Sequence, residues 1–491
     1  MPHSIMSEDK IPEIQRALVL QGGGALGAYD AGVFQALYDT LPKEVEHNGE
    51  RGRPLFDIVA GTSSGAMNGA ILVSYVVEKG TWNGSIDRLN EFWRSVSVNP
   101  NVQNIPGFSS WWQNWHNLNP NAASDELARK YYSTKEFLFT GVQHVFFPLM
   151  PTPDMKFFDP QNTWYRYDNK PLKKSLEQFA NFPIATDFRE ESRQKQPRLL
   201  LVSVDVLEGA VVTFDSYPKV DGSRKSEYDA YYYSANGTNE INNNKDERYE
   251  YTISYDDGII SDYAIASASV PINYDYAKIK ANKLTIDKQG NEKIEKVQRY
   301  FWDGGIASNT PLRELIQSHK DYWLDVKGKG KDDAAIPNLD VYIVDVWPTR
   351  QNNIPMDHDG VVDRNYELLL SDKTAYDEKV ANIVSDYIKF VSRMKNLAVE
   401  AIDGITDTNK KKTLQFDLEN ILKTKAKSSH RNGDPRIYED LTKGRFEINV
   451  KRIERISNTE YDISNKLFDY SVDTIKQLIR DGYDDARKVI K

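Results

Sequence analysis

Apolar residues in the first 350 positions of the chain fall into short, nearly continuous runs separated by longer stretches with helical spacing. The clearest runs lie at 16–21, 56–60, 199–206 and 341–346. Runs of this length without polar alternation are typical of strands buried on both faces of a parallel sheet. Residues 28–37 have the spacing of a buried helix. The pattern therefore predicts an α/β fold with a mainly parallel central sheet.

The second apolar run leads into Gly-Thr-Ser-Ser-Gly at 61–65 and then into a small-residue helical stretch. A serine between two glycines at a strand-to-helix turn is the layout of a nucleophile elbow. Gly61 and Gly65 suit this turn because glycine tolerates unusual backbone angles and close approach. The N–H groups of the following helix would point at an oxyanion formed on Ser63. Ser63 is the first candidate for chemistry, although an ordinary glycine-rich turn has the same pattern.

A second glycine cluster, Gly22, Gly23 and Gly24, joins the first strand to the first helix and is followed by Gly27. N–H groups exposed at a strand end can bind a phosphate or the developing charge on an ester oxygen. Gly22, Gly24 and Gly27 also satisfy the Gly-x-Gly-x-x-Gly fingerprint of dinucleotide-binding proteins. That fingerprint expects an acidic residue at the end of the next strand, which here ends in the serine turn. An oxyanion loop is therefore favoured over a dinucleotide site.

An Asp-Gly-Gly turn, Asp303, Gly304 and Gly305, follows an aromatic stretch far downstream. Alone it is a common turn, but beside a serine without a partner its carboxylate becomes a candidate base. Burial beside the aromatic residues would raise the pKa of this carboxyl and make it more basic. Asn309 or Thr310 is expected to cap the helix that follows.

In this order, the glycine cluster, the serine turn and the Asp-Gly-Gly turn resemble the patatin-like phospholipase family. The small-residue segment 266–271 is similar to the block that the family carries between its serine and its aspartate. The resemblance covers about 16–312, with similar strands continuing to Pro348. It implies a three-layer α/β/α fold with a mainly parallel sheet, in which Ser63 is the nucleophile and Asp303 the base of a catalytic dyad.

The resemblance also implies a lipid acyl hydrolase of the phospholipase A or lysophospholipase type, acting through an acyl-enzyme. Gly22, Gly23 and Gly24 would form the oxyanion hole, a lipid or other ester would be the substrate, and no metal or organic cofactor would be needed. Leu26 departs from the many family members with Arg or Lys at its position, which weakens any inference of phospholipid preference.

Two alternatives to this mechanism are compatible with the sequence. His319, one helix beyond Asp303, is the nearest candidate for a conventional Ser-His-Asp triad. The chain can also be a catalytically inactive relative that binds lipid without turning it over.

The composition of the chain restricts its possible partners, sites and location. With 491 residues the chain can bury one large α/β core and carry a further module. A formal net charge of −9 disfavours nucleic acid as a partner, while peripheral membrane contact stays open. The absence of cysteine excludes disulfides, thiol catalysis and thiolate metal sites. Since no long apolar run and no apolar signal segment are present, the sequence predicts a cytoplasmic protein.

The predicted organisation is an N-terminal tail (1–15), an acyl hydrolase domain (16–350) and a mainly helical C-terminal region (356–491). Within the domain, the aromatic-rich stretch 99–169 is interpreted as a cap lining an acyl pocket or, equally, as the core of an inserted subdomain. The polar stretch 217–257 is interpreted as a loop or an exposed hairpin.

In the C-terminal region, residues 446–450 alternate as in a short strand, and the last helix is expected to begin after Ser471 and end near Gly482. This region carries no catalytic signal, so packing against the core or oligomerisation is its expected role. Five apolar residues there recur at the spacing of an amphipathic helix: Ile383, Tyr387, Val391, Met394 and Ala398.

Overall fold

A computed structural model describes residues 12–41, 54–100, 125–149, 165–188, 196–230, 248–286, 291–326, 336–429, 435–456, 463 and 465–490. In chain order the strands are β1 (Ile14–Leu20), β2 (Ile58–Thr62), β3 (Phe147–Pro148), β4 (Tyr167–Asp168), β5 (Arg198–Asp205), β6 (Ala210–Asp215), β7 (Lys225–Ala230), β8 (Arg248–Ser254), β9 (Ala277–Ile286), β10 (Glu292–Asp303), β11 (Asn338–Asp345), β12 (Lys425–Ser429), β13 (Pro435–Ile437) and β14 (Ile448–Glu454).

One mixed sheet of ten strands organises the fold, in the order β14-β11-β1-β2-β5-β10-β9-β8-β7, with β6 paired to β5. The five strands from β14 to β5 are parallel, and the remaining pairings are antiparallel. The four apolar runs of the sequence form β1, β2, β5 and β11, all in the parallel part. The predicted α/β fold with a mainly parallel central sheet is confirmed.

Helices cover both faces of this sheet. They are α1 (Ala28–Thr40), α2 (Ser64–Lys79), α3 (Ser85–Ser95), α4 (Asp125–Thr140), α5 (Lys170–Phe179), α6 (Ser261–Ser267), α7 (Gly305–Ser308), α8 (Leu312–Asp321), α9 (His358–Leu370), α10 (Ala375–Asp403), α11 (Thr408–Leu422) and α12 (Val472–Val489). Alternate residues of β1 enter two separate cores, Leu18 and Leu20 on one face and Ala17 and Val19 on the other. The parallel strands are therefore buried on both faces, which explains their continuous apolar runs.

Helices α1 and α12 cross at very short distance because each has a glycine at the crossing. A Cβ atom on Gly32 would lie 1.8 Å from the carbonyl oxygen of Ile479, and one on Gly482 would lie 2.2 Å from that of Tyr29. Gly482 therefore serves helix packing in the middle of α12. The predicted end of the last helix near Gly482 is wrong, since α12 continues to Val489.

The C-terminal part of the chain completes the sheet. The short strand predicted at 446–450 is present as β14, which lies parallel to β11 at the edge of the sheet. Between β11 and β14, α10 and α11 follow one another, and a small antiparallel pair, β12 and β13, comes after them.

Only part of the aromatic stretch 99–169 lies within the described residues. Phe137 and Phe146 are buried and belong to the main core, where the Phe146 ring contacts those of Tyr167 and Phe468. Phe147 is exposed. The other aromatic residues that suggested a cap lie outside the described residues: Trp111, Trp112, Trp115, Phe157, Phe158 and Trp164.

The polar stretch 217–257 contains the antiparallel pair β7 and β8, which extends the main sheet beyond β9. The hairpin interpretation is thus confirmed for the two strands, and the residues between them lie outside the described part of the chain.

Candidate active site

Ser63 lies in the turn between β2 and α2 with φ 55° and ψ −123°. Residues other than glycine rarely adopt a positive φ, and such strained backbone clusters at functional sites. A Cβ atom on Gly61 would lie 2.3 Å from the carbonyl oxygen of Gly65, and one on Gly65 would lie 2.3 Å from that of Leu20. Both positions therefore require glycine. The turn has the geometry of the nucleophile elbow that the sequence predicts.

The small-residue segment 266–271 fixes the elbow from the side. The N–H of Ser63 donates to the Ser267 Oγ at 2.9 Å, and the Ser267 hydroxyl donates to the carbonyl oxygen of Val202 at 2.5 Å. The carbonyl oxygen of Ser269 accepts a hydrogen bond of 2.9 Å from the N–H of Asp303. One segment thus holds the backbone of both candidate catalytic residues.

Asp303 is the last residue of β10. Strand β5 pairs with β2 on one side and with β10 on the other, so that the ends of β2 and β10 lie near each other across a single strand. Thr62 pairs with Val202, and Asp303 pairs with Ser203, the next residue along β5. This register brings the side chains of Ser63 and Asp303 together, where the Ser63 hydroxyl stabilises the Asp303 carboxylate. The two residues that the sequence singled out meet at one edge of the sheet.

Burial raises the pKa of the Asp303 carboxyl to about 6. The Ser63 hydroxyl and the Gly305 N–H, the latter 2.7 Å from Asp303 Oδ1, oppose this rise by stabilising the carboxylate. A carboxyl with this pKa is ionised at neutral pH yet far more basic than an exposed aspartate. It can accept a proton from Ser63.

The glycine cluster packs against the elbow and contributes backbone N–H groups. The N–H of Gly22 donates to Asn309 Oδ1 at 3.1 Å, and that of Gly23 donates to Ser64 Oγ at 3.0 Å. Gly24 begins a short 3₁₀ helix, whose first N–H groups have no acceptor within the helix. Within the described residues, Gly24 donates no hydrogen bond from its N–H. Of the three predicted oxyanion donors, Gly24 is therefore the one whose N–H group is free to donate to an oxyanion.

The C-terminal part of the chain supports this loop. Gly24 has φ +57°, and a Cβ atom on it would lie 2.5 Å from the carbonyl oxygen of Leu467. Lys466, its neighbour, is buried and forms ion pairs with Asp363 at 2.7 Å and Glu367 at 2.9 Å. The glycine loop therefore rests on a segment about 440 residues away in the sequence.

Asn309 holds Gly22 in a way that sequence reasoning missed. Asn309 Oδ1 accepts from the N–H of Gly22, while its Nδ2 donates to the carbonyl oxygens of Gly22 at 3.3 Å and Leu370 at 2.7 Å. The indole Nε1–H of Trp347 also donates to the Gly22 carbonyl oxygen, at 2.6 Å. Both backbone groups of Gly22 are thus fixed by side chains that come from distant segments.

The predicted role of Asn309 or Thr310 as a helix cap is wrong. Helix α8 begins at Leu312 after Pro311, and no side chain caps it. Thr310 Oγ1 instead accepts a hydrogen bond of 2.7 Å from Gln21 Nε2. The sequence alone does not distinguish a polar residue that caps the following helix from one that forms hydrogen bonds with a distant segment.

Asn309→Leu is expected to lower kcat for a short ester roughly 100-fold with little change in KM, because small displacements of catalytic groups cost about this much. The substitution removes the acceptor of the Gly22 N–H and releases the loop. Steady-state kinetics on a p-nitrophenyl ester would measure the effect.

Asn181→Leu is the matched control. Asn181 is exposed and its Nδ2 donates to Glu78 Oε2 at 3.0 Å, and within the described residues it forms no hydrogen bond with the glycine loop. Equal losses of kcat in both variants, or a rise in KM alone for Asn309→Leu, would contradict a positioning role for Asn309.

The dinucleotide interpretation finds no support in the geometry of the glycine cluster. A Cβ atom on Gly22 would lie 2.6 Å from the Cβ of Ser63, and one on Gly27 would lie 2.6 Å from that of Ser64. These glycines are needed because the elbow packs directly on them. The close approach that Gly22 and Gly27 permit is therefore that of the elbow and not that of a pyrophosphate.

His319 does not belong to the site. It is fully buried, its Nε2–H donates to the carbonyl oxygen of Pro337 at 2.8 Å, and its ring packs on Phe446. Burial lowers its pKa to about 3. A conventional triad through His319 is therefore excluded by its position.

The described residues contain neither a cluster of metal-binding side chains nor a helix that could span a membrane. No group of three or more His, Asp or Glu side chains there could hold a metal ion. None of the helices described combines the length and the apolar character needed to cross a membrane.

A protein-family model matches more than half of the chain. The model of the patatin-like phospholipase family matches residues 18–316, which include the glycine cluster, Ser63 and Asp303. A search of curated proteins found none that matches the chain.

Proposed function

Because the chain belongs to the patatin-like phospholipase family, a family of lipid acyl hydrolases, we propose that it cleaves carboxylic esters of lipids through a Ser63–Asp303 dyad. The proposed class is phospholipase A or lysophospholipase. The observation that carries the proposal is that the register of the sheet places Ser63, in the strained elbow, beside the buried carboxyl of Asp303.

In the first half of the proposed cycle, Ser63 Oγ attacks the carbonyl carbon of the ester and its proton passes to the Asp303 carboxylate. The carbonyl oxygen becomes an oxyanion in a tetrahedral intermediate. When the bond to the leaving oxygen breaks, Asp303 returns the proton to that oxygen. The products are an alcohol and an acyl group esterified to Ser63.

In the second half, a water molecule replaces the alcohol. Asp303 accepts a proton from this water as its oxygen attacks the acyl carbon, and a second oxyanion forms. Collapse breaks the bond to Ser63 Oγ, which takes the proton back from Asp303. The enzyme is restored and a carboxylic acid leaves.

The oxyanion hole is proposed to lie at the glycine loop. Gly22, Gly23 and Gly24 are the proposed residues, and the free N–H of Gly24 supports this assignment. The start of α2 adds the positive end of a helix dipole next to Ser63. N–H groups that are already in place need no reorganisation when the charge forms.

A fluorophosphonate probe tests this function because it reacts only with an activated serine. We expect one adduct per chain on the peptide that contains Ser63, located by mass spectrometry, together with release of fatty acid from a mixture of phospholipids and neutral lipids. Labelling without fatty acid release would point to another ester as substrate. A folded chain with neither labelling nor turnover would support the inactive, lipid-binding alternative.

The pH dependence of kcat/KM should show an acid limb with a midpoint near pH 6. Asp303 must be ionised to act as a base, and burial raises its pKa to about 6. Below that pH, kcat/KM should fall about tenfold per unit, because the fraction of ionised carboxylate does. A profile measured between pH 4 and pH 9 in buffers of constant ionic strength would reveal it.

Asp363 provides a control for the assignment of this limb. Burial also raises its pKa to about 6, but its carboxyl faces Lys466 and not Ser63. Asp363→Asn should therefore keep the acid limb. Disappearance of the limb in this variant, or a limb near pH 4 in the wild type, would argue against Asp303 as a buried base.

A further inference from the structure

The outward face of α10 carries an apolar stripe that nothing in the described part of the chain covers. The opposite flank of the helix packs inward through Ser385, Ile388 and Ile402, which are buried. Ten large apolar residues of α10 are exposed, Val384, Val391 and Val399 among them. The other seven, 38–72% exposed, form the stripe: Tyr376, Val380, Ile383, Tyr387, Phe390, Met394 and Leu397. An exposed apolar surface of this length indicates a binding partner.

The spacing of the stripe indicates that the partner is another helix. Together with Ala401, the seven residues follow one another at intervals of four and three, a heptad repeat with apolar a and d positions. A straight helix lying on a globular or lipid surface has a period of 3.6 residues, whereas a strict 3.5 period is the mark of a coiled coil. The pattern extends over almost four heptads of one helix, Ala375–Asp403.

The charged residues that flank the stripe indicate which helix the partner is. With Val380 at position a, the g positions alternate in sign. They are Lys379, Asp386, Arg393 and Glu400. Within the described residues, none of these four exposed side chains forms an ion pair.

An antiparallel copy of the same helix matches this series at every position. In antiparallel pairs, g residues face g residues, so that Lys379 meets Glu400 of the second copy and Asp386 meets its Arg393. A two-fold axis repeats both pairs and gives four pairings of opposite charge. In a parallel pair, g faces e, and Asp386 would instead meet the apolar Val391.

The same axis also matches the apolar layers by size. Tyr376 lies opposite Ala401, a large residue opposite the smallest of the stripe, and Val380 lies opposite Leu397. Tyr387 and Phe390 meet at the centre. The charged pairs and the apolar layers thus require the same register of the two antiparallel helices.

We infer that α10 is a homodimerisation helix and that two copies of this chain associate through an antiparallel coiled coil of their α10 helices. The surface goes beyond the esterase function and does not depend on it. A membrane fits less well, because helices that lie on lipid carry mainly basic polar faces, whereas α10 has five acidic and four basic residues.

Charge reversal tests the inference on the full chain. Wild type is expected to sediment as a dimer at micromolar concentration, and Arg393→Glu should raise the dissociation constant at least tenfold, since it creates two like-charge contacts. Adding Asp386→Lys exchanges the signs and should restore the dimer. Lys389→Glu, the same change of charge at an outer position of the helix, is the matched control and should remain dimeric.

The orientation can be tested because the chain contains no cysteine. A short bismaleimide should cross-link an equimolar mixture of Ile383→Cys and Met394→Cys chains, which face each other only in the antiparallel register, and should leave each chain alone largely uncross-linked. A monomeric wild type, a double charge variant that fails to recover, or cross-linking of Ile383→Cys with itself would overturn the inference. So would a monomer that floats with phosphatidylcholine vesicles and loses this binding with Tyr387→Glu.

Discussion

Ser63→Ala and Asp303→Asn are each expected to lower kcat for a p-nitrophenyl ester by roughly 10⁴-fold or more, and the double variant should lose little beyond either single one. In the proposed dyad the two side chains act as one unit, placed side by side at the edge of the sheet. Once the base is gone the nucleophile is not activated, and without the nucleophile the base has nothing to deprotonate. Additive losses would show that the residues act in separate steps.

The stability of these variants separates loss of chemistry from loss of fold. Burial raises the pKa of Asp303 from 3.8 to about 6, so stability from its neutral form is full below pH 3.8 and is lost as pH rises through about 6. At pH 8 the wild type holds a buried negative charge that Asp303→Asn lacks. This variant should therefore unfold at a higher urea concentration than the wild type at pH 8, with the difference shrinking towards pH 4.

Gly32→Ala is expected to destabilise the protein by about 3 kcal/mol or more, at the upper end of the range for overpacked sites. Helix propensity alone predicts the opposite sign, because alanine in a helix interior is favoured over glycine by about 1 kcal/mol. The added methyl would lie 1.8 Å from the carbonyl oxygen of Ile479, a backbone atom that cannot move without displacing α12. Urea unfolding monitored by circular dichroism gives the measurement.

Gly404→Ala supplies the comparison. Gly404 ends α10 with a right-handed helical φ of −72°, and the nearest atom to an added Cβ is 3.6 Å away. This variant should be neutral or slightly more stable than the wild type. If Gly32→Ala were equally well tolerated, the close crossing of α1 and α12 would be disproved.

Features that depend on neighbouring residues could be predicted from the sequence. The strands β1, β2, β5 and β11 have local apolar runs, and the turns at Ser63 and Asp303 have glycines whose spacing reports backbone geometry. The raised pKa of Asp303 also follows from its aromatic neighbours and a buried strand end.

Features that depend on distant contacts could not be predicted. Asn309 has a sequence context typical of a helix cap, yet it binds a glycine 287 positions away. Gly482 has the signature of a helix end, but its partner at the α1 crossing is Tyr29. The α10 pattern predicts an amphipathic helix correctly, whereas its buried and exposed flanks are decided by packing that the pattern does not contain.

The contact between Gly24 and Leu467 has a consequence for biosynthesis. The glycine loop is translated more than 400 residues before its support at Leu467 and the edge strand β14. β1, too, pairs with β11, more than 300 residues later. Such long-range closure is slow and exposes unpaired strand edges during synthesis. A nascent chain should therefore lack a supported glycine loop until the segment around Leu467 and α12 have been translated.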